Sequence, residues 1–196
     1  MSYDIAIVGA GIGGLTAAVL CAREGHRPVL FDRFDAPRPL GSGLVIQPVG
    51  LAVLDILGVG DRARALSSPI HQMIGHEADR NRLVLDVRYP KDAPGRALHR
   101  ASLFDLLWRL IEAENIPVVT SATIAAAPMT GRKRMLHLTD GRAEGPFDLV
   151  IDASGTRSVL SPLKARPLAF GALWASVPWP DDAALPRDQL RQCYRR

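Results

Sequence analysis

A glycine-rich turn between two apolar runs opens the chain and constrains its fold more than any other feature. It reads Tyr3-Asp-Ile-Ala-Ile-Val-Gly9-Ala10-Gly11-Ile12-Gly13-Gly14, continues through an Ala/Leu-rich stretch to Glu24 and Gly25, and ends in Pro28-Val-Leu-Phe-Asp32. A β-type run, a turn, a helix and a second β-type run closed by a carboxylate make a βαβ unit with a dinucleotide fingerprint. Gly9 permits the tight turn out of the first strand. Gly11 lets backbone approach a pyrophosphate, and Gly14 lets helix and strand pack closely. The first amides of the helix, with its dipole, favour phosphate charge. Ala18 repeats the close packing one turn on, and Gly25 stands where a left-handed residue ends a helix. Asp32 is placed to accept hydrogen bonds from both hydroxyls of an adenosine ribose. A carboxylate there disfavours a 2′-phosphate, so FAD or NAD suits the site better than NADP.

The totals set bounds. At 196 residues the chain suits one domain, or one domain and part of another. Hydrophobic residues at 47% and charged residues at 22% are those of a soluble globular protein. The net charge of +4 is scattered, and Arg132-Lys-Arg134 reads as a solvated turn, so no nucleic-acid partner is expected. Cys21 and Cys193 form neither a disulfide framework nor a metal spacing. With no basic-headed signal peptide and no run of membrane-spanning length, the expected address is the cytoplasm, with no membrane partner. His71 and His76 with Glu77 read as surface or structural residues, and no metal site is expected.

Further along, Arg33 to Gly43 reads as a loop, Leu44 to Ile46 as a short strand, and Gln47-Pro48 as the opening of a helix stopped by Gly58. Asp61 is placed to cap a short helix ending near Leu66. Alternation over Ile70 to Ala78 and Arg82 to Tyr89 predicts two strands, with Arg96 to Arg100 as another, in a sheet separate from the nucleotide-binding one. Ser102, with Asp105 at the capping-box position, is placed to cap a helix whose apolar face carries Leu103, Leu106, Leu107, Leu110 and Ile111. Pro117 to Thr120 predicts a parallel core strand. Thr123 to Ala127 and Met135 to Thr139 predict antiparallel strands, Phe147 to Ile151 a buried strand, and Leu168 to Trp179 one more.

The order of these motifs resembles the N-terminal half of the FAD-dependent aromatic hydroxylases, the para-hydroxybenzoate hydroxylase type of flavoprotein monooxygenase. The resemblance runs from Tyr3 to about Pro162. It rests on the fingerprint with Asp32-Arg33, on Gly41-Ser-Gly43-Leu44, on Leu98-His-Arg100, and on Asp148-Leu-Val-Ile-Asp152-Ala-Ser-Gly-Thr-Arg-Ser158. The fold it implies is α/β: a Rossmann-like FAD-binding domain with a parallel central sheet and an antiparallel β-meander, plus part of a β-rich substrate domain. The expected division is 1–68 with 101–165 for FAD, and 69–100 with 166–196 for the incomplete substrate domain.

The resemblance also implies roles. Asp32 would hold the ribose with Arg33 beside it, and Arg100 would reach the pyrophosphate or ribityl region. Gly43 and Leu44 would admit backbone to the flavin ring, Ile124 would meet the adenine through its backbone, and Asp152 would be the cofactor-binding acid of the second fingerprint, displaced from its usual place. The implied reaction is hydroxylation of a small aromatic substrate by O₂ through a flavin C4a-hydroperoxide, with NADH or NADPH as reductant. No catalytic residue is assigned, since such a site needs no acid–base triad.

Two departures stand out. The family commonly has Asp-Gly where this chain has Ser154-Gly155, which leaves NADH and NADPH both open. A later Gly-Asp-Ala motif has no counterpart. Family members run to roughly twice this length, consistent with two domain-sized units, so the chain is expected to be a portion of a longer enzyme or a truncated product. A related FAD oxidoreductase of halogenase or reductase type, and a non-catalytic nucleotide-binding remnant, are the alternatives.

Overall fold

A computed structural model of the chain describes residues 1–38, 41–163 and 185–195, together with 166, 168, 169, 173, 175, 177, 178 and 180. The elements begin with β1 (Asp4–Val8), α1 (Ile12–Arg23), β2 (Arg27–Phe31), β3 (Gly43–Ile46), α2 (Pro48–Ile56) and α3 (Gly60–Ala65). Next come β4 (Ser68–Ile70), β5 (Gln72–Glu77), β6 (Leu83–Arg88), β7 (Gly95–His99) and α4 (Arg100–Ala113). They end with β8 (Val118–Val119), β9 (Ile124–Ala126), β10 (Met129–Thr130), β11 (Lys133–Leu138), β12 (Ala143–Phe147), β13 (Leu149–Asp152), a 3₁₀ turn at Gly155–Arg157 and β14 (Gln189–Tyr194). Two compact units result: Met1–Pro39 with Leu103–Gly171, and Leu40–Ser102 with Ala172–Arg196.

The first unit is built on a parallel sheet of order β13-β1-β2-β8. β1 lies between two partners, and an interior parallel strand has both faces covered, so Ile5 to Val8 are all buried. Alternation sends Ala6 and Val8 to one face, where they join Phe31, Ala122, Ile124, Leu136, Leu138 and Phe147 in one apolar cluster. Those last residues come mostly from the antiparallel sheet β10-β11-β12, with β9 also on β11. Phe31 and Phe147 meet edge to face, 5.8 Å between centroids, tying the parallel sheet to the meander. α1 contacts β1 and β2 and buries Leu15, Ala18 and Val19.

The second unit holds two three-stranded sheets, β3-β7-β4 and β14-β5-β6. α2 and α3 pack together, Leu51, Leu54, Leu57 and Ala63 are buried, and Arg64 grips Asp55 with two bonds of 2.6 and 2.7 Å.

Several expectations change. The stretch 40–68 groups with the second unit rather than with the nucleotide-binding strands, because β3 and β4 both pair with β7. The strand expected from Ile70 breaks at His71, sending β4 to one sheet and β5 to the other. Asp61 lies inside the first turn of α3, whose cap is Val59. α4 starts at Arg100, ahead of Ser102, and Asp105 pairs with Arg109 at 2.9 Å instead of closing a capping box. β8 is a two-residue edge strand, half-buried, rather than a core strand. The run from Phe147 splits at Asp148 into β12 and β13, and β13 is an edge whose Leu149 is 49% exposed. Half of the stretch 168–179, expected as a strand, lies outside the described residues, and the other half is not in a strand. β14 was not anticipated; it adds to β5 in parallel.

Candidate functional site

The turn after β1 is shaped by two close approaches. Gly9 has φ +106°, and a Cβ there would lie 2.4 Å from the Ala153 carbonyl oxygen. A Cβ on Gly14 would lie 1.8 Å from the Gly9 carbonyl oxygen. Both glycines are therefore demanded by the protein's own backbone: the turn after β13 presses on the turn after β1, and α1 presses on that turn from below. The Ala153 N–H donates to the Val8 carbonyl at 2.8 Å, which sets the first approach. Sequence reading missed this role of Ala153, which only the β1–β13 pairing reveals.

Gly11 and Gly13 are different. A Cβ at either meets nothing within 4 Å, and both are exposed. Packing does not require their bareness; it leaves a cradle over the start of α1. That helix has no side-chain cap and no acid in its first turn. Its leading amides face open space with the positive end of the helix dipole behind them, an arrangement that suits a pyrophosphate.

Asp32, half-buried just past β2, closes the cradle. Its Oδ2 accepts the Ala10 N–H at 2.7 Å and its Oδ1 accepts the Phe34 N–H at 3.1 Å. Each oxygen keeps a further lone pair. Ala122 N–H donates to the Asp32 carbonyl at 2.8 Å and Ser121 N–H to Phe34 at 2.8 Å, so the loop after β8 is stitched to the end of β2. Arg33 is exposed beside it. Ile124 buries its side chain in the core and pairs with Leu138.

Asp152 ends β13 opposite Val8. Its carboxylate accepts the Ser154 amide at 3.1 Å, the Ser154 hydroxyl at 2.6 Å and the Ser158 hydroxyl. Burial pushes this carboxyl up, but the bonds from Ser154 and Ser158 outweigh it and leave it below its ordinary value. Ser158 in turn accepts the amides of Leu160 and Ser161, both at 3.0 Å. The knot fixes the turn that presses on Gly9.

In the second unit, β3–β7 pairing joins two motifs far apart in sequence. Gly43 lies opposite His99 and Leu44 opposite Leu98. The Arg100 N–H donates to the Ser42 carbonyl at 3.2 Å, and Gly41, at φ +125°, leaves room for the Arg100 side chain, which a Cβ would meet at 2.7 Å. Gly43, Leu44 and Arg100 thus form one local group, with the Arg100 side chain exposed.

The FAD binding domain family matches residues 2–123, more than half of the chain. The chain belongs to the FAD-binding domain family. Its relatives include 3-amino-4-hydroxybenzoate 2-monooxygenase of Streptomyces cremeus, 35% identical over 168 residues, covering 80% of this chain and 40% of the relative. The 2-heptyl-3-hydroxy-4(1H)-quinolone synthase of Mycobacteroides abscessus is 31% identical over 159 residues, covering 79% and 40%. Among solved structures, tetrameric 2-methyl-3-hydroxypyridine-5-carboxylic acid oxygenase superposes with a TM-score of 0.70 at 25% identity, over 82% of this chain and 41% of the other. The chain thus spans about two fifths of the length of these relatives. No helix among the described residues is long and apolar enough to cross a membrane.

Proposed function

We propose that this chain carries the FAD-gripping portion of a monooxygenase that hydroxylates a small aromatic compound with O₂. The observation that carries the reading is the cradle: bare, open glycines over an uncapped helix start, closed by the Asp32 carboxylate. In this reading Gly11, Ile12 and Gly13 offer their amides to the pyrophosphate, and Gly9, Ala10 and Gly14 hold the turn that aims them. Asp32 accepts the ribose hydroxyls with Arg33 at its side, and Ile124 meets the adenine through backbone. Gly43 and Leu44 lend backbone to the flavin ring, and Arg100 supplies positive charge to the pyrophosphate or ribityl region. Asp152 serves the cofactor site indirectly, its carboxylate fixing the turn at Ala153 through the bonds from Ser154 and Ser158.

Bound FAD supplies the redox chemistry that activates oxygen, with NADH or NADPH as the electron source. The protein's share is to bind, to orient the ring substrate and to keep water away. The FAD-binding portion comprises the first unit with the Gly43–Leu44 strand and Arg100, the remainder of the second unit belongs to the substrate domain, and the cytoplasm is the proposed location.

Binding and turnover are tested separately, because the chain spans only about two fifths of its relatives. Purified protein, or protein mixed with FAD and desalted, is expected to be yellow with flavin absorption bands. A colourless preparation that FAD cannot reconstitute sinks the reading. Aromatic-dependent oxidation of NADH or NADPH then separates a working hydroxylase from a chain that binds FAD without turnover.

A further inference from the structure

β6 is one edge of the β14-β5-β6 sheet, and no described strand lies on its other side. The Tyr89 N–H donates to the His71 carbonyl at 2.9 Å, so the Tyr89 amide faces β5. Strand backbone groups alternate between the two sides, so Val87, opposite Met73, and Leu85, opposite Gly75, also turn theirs to β5. Asp86 and Arg88 turn theirs outward, at the open edge. The edge is apolar as well: Leu83, Val84 and Val87 are 51%, 47% and 42% exposed. Pro90, which has no N–H, closes it.

Exposed edges are commonly blunted by lysines or other charges that repel an approaching strand. β6 carries instead one acid and one base, Asp86 and Arg88, two apart and therefore on one face. Gln72 Nε2 orients the Asp86 carboxylate with a bond of 2.6 Å. Arg88 approaches its own Asp86 only at 3.4 Å, and its side chain is 74% exposed, so most of its N–H donors are open to another carboxylate.

A second copy of the strand can approach antiparallel about a twofold axis, and charge discriminates among the registers. Centred on Asp86, the two copies set carboxylate against carboxylate. Centred on Leu85, they set Arg82 toward Arg88. Centred on Val87, they set Asp86 opposite Arg88 on both sides of the axis. Only in this last register do the outward backbone groups of Asp86 and Arg88 exchange bonds while their side chains attract.

We propose that β6 is a self-pairing edge, joining two copies of this chain antiparallel about an axis through Val87, with Asp86 of each copy against Arg88 of the other. Val87 then meets its counterpart and Leu85 faces Tyr89, covering apolar surface that the single chain leaves in water. A short edge makes a small interface, so the dimer is concentration-dependent. The inference is independent of FAD binding.

Sedimentation velocity of the full chain over a concentration series is expected to show a monomer–dimer equilibrium. Asp86→Arg alone and Arg88→Asp alone each set like charges opposite one another twice, and each is expected to dimerise at least about tenfold more weakly. Mixed in equal amounts, the two variants again set acid opposite base on both sides of the axis, and dimer is expected to return to near the parent's level. Asp86→Arg and Arg88→Asp combined in one chain restore the same pairing and are expected to do likewise. By amide hydrogen exchange, Asp86 and Arg88 are expected to slow as concentration rises, whereas Val87 and Tyr89, already bonded to β5, keep their rates. A chain that stays monomeric, single variants that dimerise like the parent, or failure of both the mixture and the combined variant to dimerise each overturn the proposal.

Discussion

Ala10 and Asp32 are joined across the βαβ unit by one bond, the Ala10 amide donating to Asp32 Oδ2 at 2.7 Å. The carboxylate that we assign to the ribose therefore also braces the turn that we assign to the pyrophosphate. Asp32→Asn keeps the shape but removes the charge, and it replaces one oxygen by a donor that faces an amide. FAD affinity is expected to fall about 10- to 100-fold, the worth of hydrogen bonds to a charged group. Flavin fluorescence quenching measures it.

The glycines of the fingerprint divide into two kinds, and alanine substitution separates them. Gly14→Ala places a methyl 1.8 Å from a backbone oxygen and is expected to destabilise the fold by about 1–3 kcal/mol or more. Gly11→Ala meets no protein atom; it is expected to cost under about 1 kcal/mol as a poorer helix cap while sharply weakening FAD binding. Urea denaturation of the apo chain, paired with an FAD titration, reads both axes.

Ser158→Ala removes one donor from Asp152 and the acceptor of two amides. The Asp152 carboxyl, now below its ordinary value, is expected to titrate higher. A side-chain carboxyl pH titration by NMR follows it. Little or no upward movement would show that Ser154 alone holds the charge.

At the other end of the sheet, Asp4 is bonded by Arg27 at 2.7 Å, and Asp148 accepts the Asp4 amide at 2.9 Å and pairs with Lys133 at 3.0 Å. The Arg27 bond holds the Asp4 carboxyl low; the Asp4 amide, then Lys133, does the same for Asp148. Both groups are depressed in the folded state, so their stabilisation is present above the unfolded value near about 3.9. It is lost as pH falls through the folded values. The urea midpoint is expected to drop between pH 7 and pH 3, and to drop less in Asp148→Asn.

Phe147→Ala is expected to cost about 3–5 kcal/mol, because the ring is buried edge-on against Phe31 at the seam of parallel sheet and meander. Thermal unfolding followed by far-UV circular dichroism checks it.

Much of this was legible in the residues. The apolar run before Gly9 and the Ala-rich stretch after it announce β1, α1 and β2 because local pattern and turn chemistry agree there. The position of Asp32 just past β2 was legible for the same reason. What escaped reading depends on partners far away. Gly9 is bare because Ala153 arrives 144 residues later, and no local signal says so. His71 breaks a strand that alternates well, because two different sheets claim its neighbours. Ser102 has the look of a cap, yet α4 starts two residues sooner, at Arg100, whose amide bonds Ser42. β14 carries Arg and Gln on a half-exposed strand, so its weak pattern hid it.

β1 pairs with β2 across a short connection but with β13 only after more than a hundred intervening residues. During synthesis at about 5–20 residues per second, the Ile5–Val8 edge that β13 will cover therefore waits roughly 7–28 s without its β13 partner. For that interval the nascent chain presents an apolar strand edge, the kind of template on which chains aggregate. The late strand is thus as much a protective cover for the growing polypeptide as a wall of the finished sheet.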